Sequence, residues 1–280
     1  MHGLHARLPK HFVLEERLER YADVIEPAPT AWRGAWAEAC HPLVPGQGAA
    51  SYPRVVLDLG CGKGAFAAAL AASEPQTLVV AMDAEPICVA YAAQHVTEAG
   101  MPNVVVVAGD GSRLPEYFSP GELSAIYLNF PTPFPRKREA ARRLTSAEHL
   151  MQYRPLLAPG GTFRLRTDSL PLYRFSLEEA ARAGYQLRWS SENARADFPD
   201  EPWSEYEEKL SAQGATVYAF LATPGPAPEQ LAPREPRSLV DYLPQDLADM
   251  GYVPHGMEAT VVNMRNYEAK RRAKVGSPRS

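Results

Sequence analysis

From Arg54 onward, apolar stretches of strand length alternate with segments that have helical spacing. The alternation predicts strands near 54–59, 77–82, 103–108, 123–129 and 161–167. It predicts helices near 64–73, 86–99, 146–157 and 172–183. Because parallel strands need crossover helices to join them, this pattern is typical of an α/β fold whose parallel sheet carries helices on both faces.

The same region continues to about residue 223, and we take 54–223 as the central domain. Its last part is predicted to hold a strand at 185–191, a short helix at 205–213 and a strand at 215–222. A loop that reaches about Trp203 precedes the short helix.

Two segments flank the domain. Residues 1–53 are predicted to form a helix near 12–24, followed by an irregular arm rich in Pro, Gly and Trp. Residues 224–280 are a Pro-rich linker and a basic C-terminal appendage. The part at 224–236 holds five prolines and is either a linker or an arm that follows the surface. A helix is predicted near 258–274, and the final residues are predicted to be disordered.

The composition limits the class of protein. The chain has 280 residues, of which 45% are hydrophobic, so it can bury a sizeable core without disulfides. Its apolar stretches fall short of the ~20 residues that a membrane span needs, and its N-terminus has no apolar signal core. The cysteines, Cys40, Cys61 and Cys88, form no CxxC pair. We therefore expect free thiols, a cytoplasmic location and no bound metal.

The overall charge argues against a general nucleic-acid binder, since the net charge is -4 and the pI is about 6.0. Basic residues nevertheless cluster at 136–143 and again near the C-terminus, from Arg265 to Arg279. Two explanations stay open. The clusters are either a localised site for a polyanion, or a solvated helix face and a soluble tail.

A glycine-rich loop follows the first strand of the domain, in the sequence VVLDLGCGKG of residues 55–64. Gly60, Gly62 and Gly64 let the backbone turn sharply and approach a ligand, and ligands of open α/β sheets bind at the carboxyl ends of the strands. The spacing is GxGxG, whereas dinucleotide-binding oxidoreductases have GxGxxG. With Asp58 on the strand, the loop resembles the S-adenosylmethionine loop of Rossmann-like methyltransferases, in which the acid lies near the methionine amino group.

Two further acids follow the neighbouring strands. Asp83 ends the second strand, where a carboxylate can accept hydrogen bonds from both ribose hydroxyls. Asp110 follows the third strand, where it can reach an adenine amino group. Each acid can instead cap the next helix or turn. Three acids after three separate strands, beside a glycine loop, favour a nucleotide-like ligand.

A more specific pattern follows the fourth strand, where residues 125–145 read AIYLNFPTPFPRKREAARRLT. This segment resembles the bacterial tRNA (guanine-7-)-methyltransferase family, whose fourth strand is followed by an FPDPWP or SDPWP loop and a basic KKRHxKRRL run. Further matches follow in the family's order, namely GG at 160–161, RTD at 166–168, LYRFSLE at 172–178 and SEYEEK at 204–209. The resemblance covers about residues 7–222 and leaves the C-terminal appendage outside.

The resemblance implies a Rossmann-like methyltransferase fold, with a mostly parallel seven-stranded sheet and an antiparallel last strand. It implies methyl transfer from S-adenosylmethionine to N7 of a guanine in tRNA, at the variable-loop position that the family modifies. By motif match, the cofactor ligands are Asp58, Gly60, Gly62, Gly64, Asp83, Asp110 and Thr132. The catalytic positions are Thr132 and Asp168. The residues that meet tRNA or guanine are Arg136, Asp168, Ser204 and Glu207.

The chain departs from the family pattern in the loop itself. Thr132 stands where the family has the aspartate of DPW, Phe134 where it has the tryptophan, and Glu139 where the basic run has its histidine. A threonine can form hydrogen bonds but supplies no charge. Two alternatives are therefore a methyltransferase with a different RNA or small-molecule acceptor, and a catalytically weak protein that binds tRNA.

The candidate substrate residues also have structural explanations. Arg136 can be a surface charge, Asp168 a turn or cap residue, and Ser204 with Glu207 a capping box at a helix start. We expect Tyr206 in the core rather than stacked on a base. The oligomeric state, monomer or homodimer, stays open.

Overall fold

The computed structural model describes residues 12–38, 51–201, 205–244, 247, 250–254 and 256–275. In this part of the chain the helices are α1 (Leu14–Arg20), α2 (Ala65–Ser73), α3 (Pro86–Glu98), α4 (Leu114–Tyr117), α5 (Ala147–Tyr153), α6 (Leu170–Arg182), α7 (Ala194–Asp197), α8 (Glu205–Ala212) and α9 (Glu258–Val275). The strands are β1 (Ile25–Glu26), β2 (Arg54–Leu59), β3 (Thr77–Asp83), β4 (Val104–Ala108), β5 (Leu123–Asn129), β6 (Leu157–Thr167), β7 (Tyr185–Ser191) and β8 (Tyr218–Pro224).

These strands form one sheet in the order β1-β4-β3-β2-β5-β6-β8-β7. The strands from β1 to β6 run parallel to their neighbours, and β8 lies antiparallel between β6 and β7. The predicted α/β fold, mostly parallel with an antiparallel last strand, is confirmed. Because the central strands are parallel, the carboxyl ends of β4, β3, β2, β5 and β6 follow one another along one edge of the sheet.

One strand is absent from the sequence prediction, which has seven. The short strand β1 lies at the edge of the sheet, where Ile25 and Glu26 pair with Val106 and Val107. A strand of two residues is too short to show an alternating pattern, so the sequence predicts only an irregular arm there.

Two boundaries near residue 157 also differ from the prediction. The helix predicted at 146–157 ends at Tyr153, and the 3-10 turn Arg154–Leu156 follows it. Strand β6 then begins at Leu157, before the predicted start at 161. Gly160 and Gly161 therefore lie inside the strand. The backbone folds tightly there, and a Cβ on Gly161 would lie 2.8 Å from the carbonyl oxygen of Ala158.

Helices cover both faces of the sheet because alternate strand residues face opposite sides. On one face, Leu57 and Phe163 pack with Tyr153 of α5 in a large buried cluster. On the other face, Val79 and its neighbours pack against α2 and α3 through small side chains such as Ala93. Both faces of the sheet are therefore covered by buried apolar side chains, and the ends of the strands remain for a site.

The segment that follows β8 packs against α6 rather than standing away from the domain. A separate buried cluster joins the two, consisting of Leu172, Phe175, Leu239, Tyr242, Met257 and Val261. Arg234 of this segment also forms ion pairs with Glu178 and Glu179 of α6. The division of the chain at residues 53 and 223 stays a prediction. The predicted disorder at the C-terminus falls on 276–280, outside the described residues.

Candidate functional site

The glycine loop after β2 has an open side and a packed side. Gly60 and Gly62 have φ angles of 73° and 55°, and a Cβ at either position would meet nothing within 4 Å. Gly64, with φ of 78°, faces the protein, and a Cβ there would lie 3.0 Å from the backbone of Ala92 in α3. Helix α2 begins at the next residue. The loop thus offers bare backbone on one side and seats α2 tightly against α3 on the other.

The carboxyl group of Asp58 lies buried at the end of β2, with 1% of the residue exposed. Its Oδ1 accepts a hydrogen bond of 3.4 Å from Asn129 Nδ2, whereas Oδ2 is buried and has no hydrogen-bond partner among the described residues. Burial raises the pKa of Asp58 to about 7; the charge of Asp83 adds to the rise, and Asn129 and Arg164 oppose it. A buried carboxylate oxygen without a donor is costly, so this atom is suited to a ligand that brings one.

Asp83 braces the glycine loop at the end of β3. Its Oδ2 accepts a hydrogen bond from the backbone N–H of Gly62 at 2.9 Å, and its Oδ1 accepts one from Glu85, also at 2.9 Å. Burial raises the pKa of Asp83, and these backbone donors oppose the rise. The structure therefore brings Asp83 and the loop together through a direct contact.

Asp110 lies beyond the end of β4 and is exposed. Its Oδ1 accepts a hydrogen bond of 2.9 Å from the backbone N–H of Ser112, so it caps the short turn Gly111–Arg113. The backbone N–H of Gly109 bonds to the carbonyl of Asp83 at 3.0 Å and holds the two strand ends together. Asp110 thus has the structural role of a cap, and its carboxylate lies on the same edge as Asp58 and Asp83.

The loop after β5, residues 130–136, lies next to the glycine loop because β5 neighbours β2. Phe130 and Phe134 adopt φ angles of 49° and 46°, and they are the non-glycine residues with positive φ in the described part of the chain. Such a conformation costs roughly 1 kcal/mol for each residue. Thr132 is exposed between them, and Pro133 is buried. The loop therefore holds a strained shape that presents Thr132 to solvent.

A buried arginine holds this loop in place. Arg143 is 1% exposed, and its guanidinium donates hydrogen bonds to the carbonyls of Pro133 and Phe134, as well as to that of Arg237. Burial lowers the pKa of Arg143 to about 10. The neighbouring Arg142 stacks its guanidinium 4.1 Å from the centre of the Phe134 ring. Two of the five basic residues of the cluster at 136–143 therefore support the loop.

The remaining basic residues of that cluster are exposed. Arg136 precedes the 3-10 turn Lys137–Arg142, and Arg136, Lys137 and Arg138 are all open to solvent. Lys137 forms an exposed ion pair of 3.3 Å with Glu235. The structure thus leaves an exposed basic stretch directly after the loop, which is the part of the cluster that can meet a polyanion.

Asp168 follows β6 and is 6% exposed. Its Oδ2 accepts a short hydrogen bond of 2.6 Å from the hydroxyl of Tyr252. The cap of α6 is Ser169, whose hydroxyl accepts the N–H of Leu172. The capping explanation for Asp168 therefore does not hold, because the next residue has that role.

Glu207 of α8 lies in a buried cluster of charged groups. It is 2% exposed, and its Oε1 lies 3.2 Å from Arg166 Nη2 and 3.5 Å from Arg195 Nη1. Burial raises the pKa of Glu207, and the two arginines oppose the rise. The predicted contact of Glu207 with substrate stays a prediction, since this carboxylate is engaged with two arginines. Ser204 lies outside the described residues.

Aromatic side chains flank Asp168, and the sequence did not indicate them. Tyr206, expected in the core, is 40% exposed, and its ring meets Phe130 edge-on at 5.4 Å. Burial raises the pKa of Tyr206 to about 12, and the negative charge of Asp168 adds to the rise. Tyr252 approaches from the C-terminal segment. The region around Asp168 therefore combines a carboxylate with aromatic rings.

Comparison with known proteins decides the family. A family model described as a putative methyltransferase matches residues 53–220. The tRNA (guanine-N(7)-)-methyltransferase of Lactococcus lactis subsp. cremoris (strain SK11) is 34% identical over 213 residues, which are 74% of this chain and 93% of the relative. The enzyme of the same name from Streptococcus equi subsp. zooepidemicus (strain MGCS10565) is 31% identical over 78% of this chain and 99% of the relative.

The chain belongs to the tRNA (guanine-N(7)-)-methyltransferase family.

Among solved structures, the 16S rRNA methyltransferase KamB has a similar fold, with a TM-score of 0.50 and 22% identity. The match covers 62% of this chain and 89% of KamB. This likeness supports the methyltransferase fold.

Two residues of the loop after β5 depart from the sequence motif of the tRNA (guanine-N(7)-)-methyltransferase family. Thr132 and Phe134 occupy the positions where the sequence motif has its aspartate and tryptophan, and Thr132 is neutral and exposed. The matched region of the family model ends at residue 220, so the segment that carries Tyr252 lies beyond it.

No cluster of His, Cys, Asp and Glu in the described residues is arranged to hold a metal ion. None of the described helices is both long and apolar enough to cross a bilayer.

The sequence analysis did not identify two residues that lie beside the glycine loop. Asn129 ends β5 and hydrogen-bonds Asp58, and the signal for it is a polar residue at the end of an apolar strand. Arg164 lies with its guanidinium 4.6 Å from the centre of the Tyr127 ring, in the middle of β6. A charged residue in a buried strand is the signal that points to it.

Proposed function

We propose that this protein transfers a methyl group from S-adenosylmethionine to N7 of a guanine in tRNA, in the cytoplasm. We propose the variable-loop guanine as the target. We call residues 130–136 the acceptor loop, and we call the glycine loop with Asp58 the donor side of the site. The observation that carries the proposal is a contact between the two: Asn129, directly before the acceptor loop, donates a hydrogen bond to Asp58. Family membership supports the reaction, and this contact supports one continuous site for donor and acceptor.

The residues of the donor side fit S-adenosylmethionine. Gly60 and Gly62 leave open space where a Cβ would stand, and the partnerless Oδ2 of Asp58 is suited to an ammonium group. Asp83 would accept ribose hydroxyls, and Asp110 an adenine amino group. Thr132 would border the cofactor from the acceptor side. S-adenosylmethionine would supply a methyl group activated by its bond to a sulfonium sulfur, and the neutral thioether of S-adenosylhomocysteine would be the leaving group when that C–S bond breaks.

The acceptor side needs to orient a base rather than to remove a proton. The N7 atom of guanine carries a free lone pair, so its methylation needs no general base, and in-line placement accounts for much of the rate. Methylation leaves a positive charge on the purine, which a nearby carboxylate such as Asp168 stabilises. The same carboxylate can accept the two donors on the Watson–Crick edge of guanine. By the family resemblance, Ser204 and Glu207 would also contact the nucleotide.

Binding of tRNA would use the exposed basic stretch after the loop. Arg136 is open to solvent beside the strained loop, so it can bind a backbone phosphate while the target base leaves its stack. Because such contacts release counterions, we expect tRNA affinity to fall steeply as salt rises.

Purified protein, S-adenosylmethionine and unmodified tRNA test the proposal, with nucleoside mass spectrometry as the readout. We expect 7-methylguanosine in an unmodified tRNA transcript of natural sequence. We expect none in a transcript whose variable-loop guanine is replaced by adenine. Formation of a different methylated nucleoside would change the acceptor, and methyl transfer only to small molecules would overturn the assignment to tRNA.

A second candidate rests on one observation, the neutral and exposed Thr132. On this candidate the protein binds tRNA without measurable turnover. It requires salt-dependent tRNA binding without 7-methylguanosine, and a gain of activity in the variant Thr132→Asp. Measurable turnover by the wild-type protein would exclude it.

A further inference from the structure

The segment from Gly225 to Met257 is here called the C-terminal arm, and several of its described residues lie against the acceptor loop. The backbone N–H of Leu239 and the hydroxyl of Ser238 both bond to the carbonyl of Pro135, at 2.9 Å and 3.0 Å. Pro135 is part of the loop that presents Thr132. The arm is therefore tied to this loop by direct hydrogen bonds, although about one hundred residues separate them in sequence.

Two further contacts fix the arm to the same loop. Arg143 binds the carbonyls of Pro133 and Phe134 in the loop and that of Arg237 in the arm. Gly256, with φ of 80°, lies so close to Pro133 that a Cβ would be 3.2 Å from its ring. The arm thus turns sharply where it meets the loop, and its chain passes directly beside the site.

The arm also reaches the acid that follows β6. Tyr252 is half-buried, and its hydroxyl donates a 2.6 Å hydrogen bond to Oδ2 of Asp168. Next to this contact, the hydroxyl of Ser169 bonds to the sulfur of Met257 at 3.4 Å. The hydrogen bond raises the pKa of Tyr252, after burial as the larger cause, so the phenol remains the donor and Asp168 the acceptor.

We propose that the C-terminal arm completes the guanine pocket, and that Tyr252 is a positioning residue that orients the Asp168 carboxylate toward the Watson–Crick edge of the base. This inference rests on the proposed function. A hydrogen bond to one carboxylate oxygen fixes the rotation of the group, and thereby the direction in which the acid accepts from a ligand. The charge of Asp168 acts on Tyr206, whose ring meets Phe130 edge-on, so these two rings would form the aromatic part of the pocket.

The inference makes the arm a determinant of base selectivity. Inosine lacks the 2-amino group of guanine but keeps N7, so it loses one of the two donors that a correctly oriented carboxylate accepts. The wild-type enzyme is therefore expected to prefer guanine over inosine at the target position by about tenfold or more in kcat/KM. An enzyme without the Tyr252 hydroxyl is expected to lose most of this preference, because it lacks one of the contacts that orient Asp168.

The variant Tyr252→Phe tests this with tRNA that carries guanine or inosine at the methylated position. It keeps the ring and removes the hydroxyl. We expect the guanine-to-inosine ratio of kcat/KM to fall about fivefold or more, and the dissociation constant for tRNA without cofactor to rise by a similar factor. Tyr242→Phe is the matched control, because it removes a hydroxyl that bonds to Glu178 at 2.8 Å in the same arm, away from the site. It should leave the ratio unchanged.

A double-mutant cycle with Asp168→Asn separates positioning from a general loss of structure. If Tyr252 acts through Asp168, the change at Tyr252 has no further effect on the ratio once Asp168 is altered. An active wild type with the same ratio in Tyr252→Phe would overturn the inference and leave the proposed function intact. A wild type that forms no 7-methylguanosine in tRNA would overturn both. Matching thermal midpoints of the variants verify that all of them fold.

Discussion

The donor side and the acceptor side of the site are built in different ways. The donor side is local: Asp58 and the glycine loop lie within seven residues of one another, and the loop presents open backbone and a carboxylate oxygen without a partner. The acceptor side is assembled from β5, β6, α8 and the C-terminal arm, and its acids already have protein partners. The donor side is therefore prepared for one fixed ligand, whereas the acceptor side is adjustable through contacts far apart in sequence.

The largest expected effect lies on the donor side. Asp58→Asn removes the charge that we assign to the cofactor's amino group, and we expect the affinity for S-adenosylmethionine to fall about 100-fold. The affinity for tRNA should stay within twofold of wild type. Isothermal titration with each ligand separately checks this, and an equal loss for both ligands would contradict the separation of the two sides.

The next largest effect is expected at Arg143, which supports only the acceptor side. Arg143→Met leaves the buried carbonyls of Pro133, Phe134 and Arg237 without their donor, and we expect the free energy of unfolding to fall by about 2 kcal/mol. Urea unfolding monitors the loss. The exposed Arg138→Met is the control and should change stability by less than about 0.5 kcal/mol.

The effect of pH on cofactor affinity should be about tenfold. The pKa of Asp58 is about 7 in the ligand-free protein, so below pH 7 the acid is protonated and must release its proton to pair with an ammonium group. We therefore expect the affinity for S-adenosylmethionine to rise between pH 6 and pH 8. In Asp58→Asn the rise should disappear. A wild-type affinity that falls over this range would contradict the assignment.

The same shift has a consequence for stability. Because the pKa of Asp58 is raised on folding, its contribution to stability is fully present below pH 4 and is lost as pH rises through 7. Asp58→Asn should therefore raise the melting temperature of the ligand-free protein at pH 8 more than at pH 5.

The smallest effect is expected at Thr132. The position is exposed, so a charge placed there acts through water, where two charges about 4 Å apart interact by about 1 kcal/mol, or about fivefold in rate. Thr132→Asp is thus expected to raise kcat about fivefold. Thr132→Asn, which adds bulk without charge, is the control. An equal rise in both variants would show that size rather than charge is limiting.

The contrast between the two sides also explains what the sequence could predict. The strand–loop pattern around Asp58 is short, so the sheet and the glycine loop are readable without a structure. The partner of Asp168 could not be found in this way, because Tyr252 is 84 residues away and no local pattern links the two. The same reason hides the two-residue strand β1, whose pairing with β4 depends on tertiary contact alone.

Charged residues show the limit in another form. Sequence inspection treats the basic run at 136–143 as one cluster, because the letters carry no information about burial. In the structure Arg143 is buried under the loop while Arg136 is open to solvent. From the sequence, Glu207 is predicted to contact substrate or to belong to a capping box, whereas in the structure it lies in a buried cluster with Arg166 and Arg195.

The position of Arg143 has a consequence for how the protein opens. Its guanidinium binds carbonyls of the acceptor loop and of the arm at the same time, and Pro135 of the loop accepts hydrogen bonds from Ser238 and Leu239 of the arm, so detachment of either segment breaks contacts with the other. The two segments therefore form one cooperative unit of local unfolding, in which their amide protons become accessible to exchange together. A nucleotide bound to the loop would therefore slow the exchange of amide protons in the arm as well. Amide exchange beyond β8 would then report whether the site is occupied.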